Sequence, residues 1–270
     1  MTFNNNNNNG AGNVPNSKEH FIKSLQEDVR YDTRAKTDFR DIKIETEMFN
    51  TAEGSARVTC GDTEILAGVK LSLGSPFPDR PDEGVLMVGC ELLPIAHPSI
   101  ESGPPSIDAI EISRVIDRGV RESGAVDVKN LCVEKGEKVW MISIDIVPIN
   151  HDGNIIDLGG LAALAALKTM KFPEVDENGN IDYKKSTGKG VELKELPVPV
   201  TVCKVGDHFI VDPTKTEEDL LDARITVTSL DEQRICSLQK GGDVGMTLDE
   251  INQAFDLALE KGQELRQKLE

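Results

Sequence analysis

Residues 139–171 read VWMISIDIVPINHDGNIIDLGGLAALAALKTMK, and the change of period inside this stretch decides the fold. Over 139–149 the side chains alternate, with Ile142, Ile144 and Ile146 on one side and Ser143 and Asp145 on the other. Successive strand residues point to opposite faces, so this segment predicts a strand. From Gly159 to Lys171 the alternation gives way to Leu, Ala and Gly, a small-residue apolar helix that Pro173 ends, because proline has no N–H to continue the ladder.

Working outward, Ser17 is placed to cap a helix with Phe21, Ile22, Leu25 and Val29 on one face. Segments 42–49, 55–60 and 63–73 read as strands; in the last, Ile65, Ala67, Val69 and Leu71 share a face. Gly61-Asp62 is a hairpin turn signal. The proline-rich stretch 74–82 is a loop, and 85–93 another strand. Segment 106–122 has helical spacing and offers Ile107, Ile110, Ile112, Val115 and Ile116 to a core. Beyond residue 173, the polar stretch 174–195 is an excursion or hairpin. A second strand group follows at 198–205, 208–211, 225–229 and 235–238. Thr247-Leu248-Asp249-Glu250 has the capping-box pattern that starts a last helix.

Strands, helices, strands, then a helix make an α+β chain of mixed sheets packed with helices. The order does not repeat as βαβα, which argues against a Rossmann-like parallel sheet. Residues 1–16, with Asn4 to Asn9, carry no charge or apolar period and predict a disordered tail. Residues 17–270 are expected to form a single domain, with a first part over 17–196 and a second over 197–270.

Composition narrows the function. The chain is 38% hydrophobic and 29% charged, the balance of a soluble globular protein. No apolar run approaches the roughly 20 residues of a membrane span, and no leader pattern opens the chain. The expectation is therefore a cytoplasmic protein. Cys60, Cys90, Cys132, Cys203 and Cys236 are widely spaced, with no CxxC pair and no zinc-like Cys/His set. They read as reduced, buried thiols, and neither a metal nor a cofactor is expected. His20, His97, His151 and His208 are scattered, with no ligand spacing. The net charge of −17 opposes unaided binding of nucleic acid, since phosphate contacts need local positive potential.

Four stretches carry a resemblance. Arg30-Tyr31-Asp32-Thr33-Arg34 with Phe39-Arg40 is the first, and Gly54-Ser55-Ala56-Arg57-Val58 with Gly61-Asp62-Thr63 the second. The third is Ser113-Arg114-Val115-Ile116-Asp117-Arg118-Gly119-Val120-Arg121. The fourth runs from Trp140 to Asn150 and through Asp152-Gly153 into the alanine-rich helix. In order and spacing the four resemble the RNase PH family over nearly the whole chain, from about Glu19 onward. The resemblance implies the RNase PH-like fold (ribosomal protein S5 domain 2-like). Within the family it is to the non-catalytic ring subunits of archaeal exosomes.

Arg114, Arg118 and Arg121 recur at i, i+4 and i+7, so their guanidinium groups leave one helix face. Guanidinium forks fit phosphate oxygens bidentately, and three can hold adjacent phosphates of one RNA strand. The alternative is an ion-paired face, with Glu111, Asp117 and Glu122 near enough to neutralise it. The resemblance favours RNA, because this helix faces the RNA path in related subunits. Arg30, Arg34, Arg40 and Arg57, the first three beside Asp32, Asp38 and Asp41, read instead as structural ion pairs or subunit contacts.

Active members of the family cleave RNA from its 3′ end with phosphate. The resemblance places a Gly-Thr-Arg set at the start of the alanine-rich helix, whose N–H groups help seat that phosphate. The stretch matched to it is Asp157-Leu158-Gly159-Gly160-Leu161, with Gly160 and Leu161 where threonine and arginine are wanted. The family's acidic residue falls at Ala223, Arg224 or Ile225; Asp219 and Asp222 stay open under a shifted register. Glu217, Glu218 and Asp219 read as a solvated helical turn. No catalytic residue is thus expected. The resemblance implies a structural, RNA-binding subunit that alternates with a catalytic RNase PH-like paralogue in a hexameric ring. Its partners would be that paralogue, RNA-binding cap subunits and single-stranded RNA. The other reading is a phosphorolytic 3′-to-5′ exoribonuclease active on its own.

Overall fold

The computed structural model describes residues 14–176 and 180–269. Its larger sheet sets β1 (Ile42–Thr46), β2 (Gly54–Cys60), β3 (Thr63–Gly74), β6 (Lys138–Asn150) and β4 (Val85–Cys90) side by side in that order, with β5 (Cys132–Glu134) paired to β6. All these pairs are antiparallel except β4 with β6. Register explains the alternation. Ala67 faces Ile146, Val69 faces Ile144 and Leu71 faces Ile142, and all six are buried. Gly61, at φ +55°, turns β2 into β3 in the left-handed region that glycine enters without strain.

The second sheet has the order β10 (His208–Ile210), β9 (Val198–Val205), β11 (Ala223–Ser229), β12 (Ile235–Gly241), antiparallel throughout. Helix α3 (Ile155–Thr169) packs against β2, β3 and β6 of the first sheet and β9 of the second. Every residue from Ile155 to Leu167 is buried, as expected of a helix apolar on all sides. Its small residues have a steric cause: a Cβ on Gly160 would lie 2.4 Å from Pro199 Cγ. Helix α2 (Ile107–Glu122) lies on β4, α3 and β12, and α5 (Leu248–Leu269) on β9 and β11. Thr247 and Glu250 make both hydrogen bonds of the capping box that opens α5.

Several boundaries depart from the sequence reading. Helix α1 (Val14–Gln26) starts before Ser17, so residues 14–16 of the expected tail are helical. The rest of that tail, 1–13, lies outside the described residues. Phe21 and Leu25 are buried against Cys203, Val205, Ile210 and Leu220, whereas Val29 lies past the helix and is exposed. In α2, Ile112, Val115 and Ile116 enter the core, but Ile107 and Ile110 face solvent. Helix α3 begins four residues before Gly159. The polar excursion contains a hairpin of β7 (Pro173–Val175) and β8 (Ile181–Ser186), whose tip at 177–179 lies outside the described residues.

All five cysteines are free, and Cys60, Cys90 and Cys203 are buried. Burial pushes the Cys60 and Cys90 thiols up to about 12, which keeps them unreactive. No described helix is long and apolar enough to cross a membrane.

Candidate nucleic-acid interface

The arginine helix is well anchored. Ser106 caps α2 by accepting from the Ala109 N–H, and Asp108 in the first turn and Arg121 in the last complement the helix dipole. Ala109, Ile112, Val115, Ile116, Gly119 and Val120 face inward. At 3.6 residues per turn, Arg114, Arg118 and Arg121 fall within an arc of roughly 60° on the opposite side. All three are exposed.

Their pairing differs. Arg121 donates to Asp117 at 2.7 Å and to the Leu86 carbonyl at 3.1 Å, so the ion-paired alternative holds at this one position. Among the described residues Arg114 and Arg118 have no ion-pair partner, and Glu111 is taken by Arg224 at 2.8 Å. Two free forks and one braced fork thus stand in a row. The same face begins with Ile107 and Ile110, 83% and 48% exposed, so it is apolar at one end and basic at the other.

Arg30, Arg34 and Arg40 are structural, with partners far along the chain. Arg30 is buried, donating through Nε to Glu217 at 2.9 Å and through its other nitrogens to Glu217 and the Val211 and Asp212 carbonyls. Arg34 and Arg40 converge on Asp212, and Arg40 also reaches Asp152. Burial disfavours the Asp212 carboxylate, but Arg40's hydrogen bonds and charge outweigh it and hold its pKa below the usual value. Arg57 bridges Glu45 and Glu64. Glu217 is therefore no solvated residue. It closes a capping box with Thr214 at the start of α4 (Lys215–Glu218) while neutralising Arg30.

A cleft of about 870 Å³ opens where α2 and α3 begin, lined by His151, Asn154, Ile155, Ile156, Lys215, Glu218 and Arg224 among others. Sequence reasoning missed it, although Asp152-Gly153-Asn154 after a strand is a legible turn and cap signal. The histidines are scattered in sequence, but the fold brings His97 edge-on to His151 of the cleft wall, with ring centroids 5.9 Å apart. The start of α3 belongs to Asn154, Ile155 and Ile156. Gly160 and Leu161 lie one turn deeper, both fully enclosed, so their match to a helix start is corrected. The correction leaves the chemistry unchanged, since isoleucines flank the first turn and supply no cation. Arg224, second residue of β11, pairs with Glu111, and Lys215 pairs with Asp219. Glu101, Asp108 and Glu218 add negative charge to the walls. Arg224 Nη1 and Asn154 Oδ1 are buried without partners.

Comparisons with known proteins give the family. Residues 38–173 match the RNase PH model described as the 3′ exoribonuclease family, domain 1, and residues 195–261 match its domain 2. An exosome complex component Rrp42 from Methanosarcina mazei is 45% identical over 92% of this chain and 91% of its own. The structure is similar to a chain of an Archaeoglobus fulgidus exosome with RNA bound to the active site, at 37% identity, 95% and 99% coverage and TM-score 0.88. It is also similar to a chain of an archaeal exosome core, at 34% identity, 95% and 97% coverage and TM-score 0.83. An aliphatic-cored α+β fold, an arginine helix and matches along both halves of the chain lead to one conclusion: this protein belongs to the RNase PH family of 3′ exoribonucleases.

Proposed function

We propose that the chain is a non-catalytic ring subunit of an archaeal exosome, holding single-stranded RNA while an RNase PH-like partner degrades it from the 3′ end. The observation that carries the reading is the exposed row of Arg114, Arg118 and Arg121 opposite the buried face of α2. Arg114 and Arg118 spend their charge on no neighbour among the described residues, so their donors are free for phosphate oxygens. Relatives named as exosome components, and similar chains within exosome structures, support a place in such a ring. Cap subunits would complete the assembly, and the reduced thiols suit a cytoplasmic setting.

The cleft supports the absence of catalysis. Phosphorolysis needs an inorganic phosphate anion seated beside the 3′ end. The start of α3 offers two isoleucines and Asn154, whose amide nitrogen is already spent on Asp212, with no cation among them. Lys215 and Arg224 are already compensated by acids. Glu101, Asp108 and Glu218 leave the cleft with negative charge that repels a phosphate.

Replacing Arg114, Arg118 and Arg121 with alanine in the assembled ring tests the reading. Affinity for single-stranded RNA is expected to fall at least tenfold, and the slope of log K against log salt to shrink by about 2, at about 0.7 per phosphate contact. Arg121→Ala alone is expected to cost least, because Asp117 already occupies its fork. Unchanged affinity and slope in the triple variant would refute the RNA-binding role.

A further inference from the structure

The β7–β8 hairpin plays no part in the site described so far. Lys184, Lys185 and Lys189 stand within seven residues, 184–190, that contain no acid, in a chain of net charge −17. All seven are exposed. Among the described residues Lys184 and Lys189 have no ion-pair partner, and Lys185 meets only Asp182 at a loose 3.7 Å. Such an exposed pair is worth little and yields to a phosphate. Tyr183, one of two tyrosines in the chain, is 54% exposed. Its hydroxyl donates to the Leu71 carbonyl at 3.2 Å, and Lys70 Nζ lies 5.1 Å from its ring centroid. One ring face is thus braced by a cation, and the ring stands at the surface on a segment whose next six residues carry three lysines.

The position of this group matters as much as its composition. Tyr183 is tied to Leu71 on β3, and Arg121 is tied to Leu86 on β4. Both residues register with Ile142 of β6, the strand between them. At about 4.8 Å per strand, the two anchors sit on strands about 10 Å apart at one end of the sheet. The chain path agrees with this proximity: after β8, the Lys189 carbonyl accepts from the Phe172 N–H, and the Lys194 N–H donates to the Ala125 carbonyl just beyond α2. The lysine segment therefore leads toward the basic end of the arginine helix.

We infer that Tyr183, Lys184, Lys185 and Lys189 form a second contact for single-stranded RNA, continuing the path of Arg118 and Arg121 across the end of the sheet. Lysine charges would track the backbone while the tyrosine offers a base its stacking surface, the combination that binds single strands without sequence preference. The inference rests on the RNA-binding reading of α2, and it adds a length requirement: RNA must extend past the arginine face to reach the hairpin.

Two variants of the assembled ring test it, one with Lys184, Lys185 and Lys189 changed to alanine, the other with Arg114, Arg118 and Arg121 changed to alanine. Binding is measured with a labelled polyadenylate series of increasing length, across salt. The lysine variant is expected to bind the shortest RNA that the parent ring binds as the parent does. It is expected to lose about tenfold on long RNA, with a salt slope smaller by about 2. The arginine variant is expected to lose affinity at every length. Long-RNA binding unchanged in the lysine variant but lost in the arginine variant overturns the hairpin contact and spares the arginine reading. Loss in the lysine variant alone overturns the arginine reading and, with it, the continuous path inferred here, and loss in neither overturns both. Photo-cross-linking of long RNA, mapped to 183–189 in the parent, gives a readout independent of affinity; no cross-link there counts against the contact.

Discussion

Asp157 is fully enclosed between α3 and β9, where Thr201 donates to it from its backbone N–H at 2.9 Å and its hydroxyl at 2.6 Å. Burial still wins, pushing its pKa from 3.8 up to about 7. His151, part of the cleft wall, is shifted the other way, from 6.5 down to about 4, by burial and then by the nearby Lys215 charge. The signs oppose. Between about pH 4 and 7 folded Asp157 holds a proton that the unfolded chain releases, so its contribution to stability declines as pH rises. Between about pH 6.5 and 4 the unfolded chain protonates a histidine that the folded chain keeps neutral, so stability falls as pH falls. Urea unfolding across this range is expected to show Asp157→Asn gaining on the parent as pH rises, and His151→Gln gaining as pH falls. Curves parallel to the parent's would contradict the assignment. Neither environment was legible in the sequence, because both depend on what packs over the residue. The same holds for Arg30: a structural role could be read from its neighbours, but its partner Glu217 lies 187 residues away. Arg114 and Arg118 were legible because helix spacing alone sets their direction.

At the scale of elements, the sequence was most informative where a period met a packed face. The hairpin of β2 and β3 and the long β6 lie where alternation placed them, since one face of each is buried. Helix α2 shows the limit. Ile107 and Ile110 have helical spacing yet share the arginine face, and only Ile112, Val115 and Ile116 coincide with the core stripe. Apolar content cannot say which stripe a fold will cover. In α3 the glycines concealed the true start, because a helix usually avoids them; here Gly160 is required by Pro199 of β9. Gly160→Ala is therefore expected to destabilise the chain by about 1–3 kcal/mol through overpacking, despite alanine's better helix propensity. An unchanged or raised midpoint in chemical denaturation would show that the α3–β9 contact has room for a methyl group.

At the scale of the molecule, a net charge of −17 and an exposed row of arginines on α2 coexist because charge is distributed. The acids around Arg30, Arg34 and Arg40 are matched by those cations. The cleft acid Asp108, with no ion-pair partner among the described residues, sits in the first turn of α2, and the free guanidinium groups of Arg114 and Arg118 stand further along it on an outer face. Family membership was legible from the order of short motifs along the whole chain. The cleft was not, since its walls come from residues between 90 and 224 that only the packing of α2, α3 and β11 brings together. The function proposed above is a division of labour, with this chain holding RNA and a partner holding the phosphate. The most direct measurement is phosphate-dependent decay of single-stranded RNA by this chain alone, by an RNase PH-like catalytic partner alone, and by the two assembled. The expected result is no decay with this chain alone and full decay in the assembly, reduced when Arg114, Arg118 and Arg121 are replaced. Phosphate-dependent decay by this chain alone would contradict it.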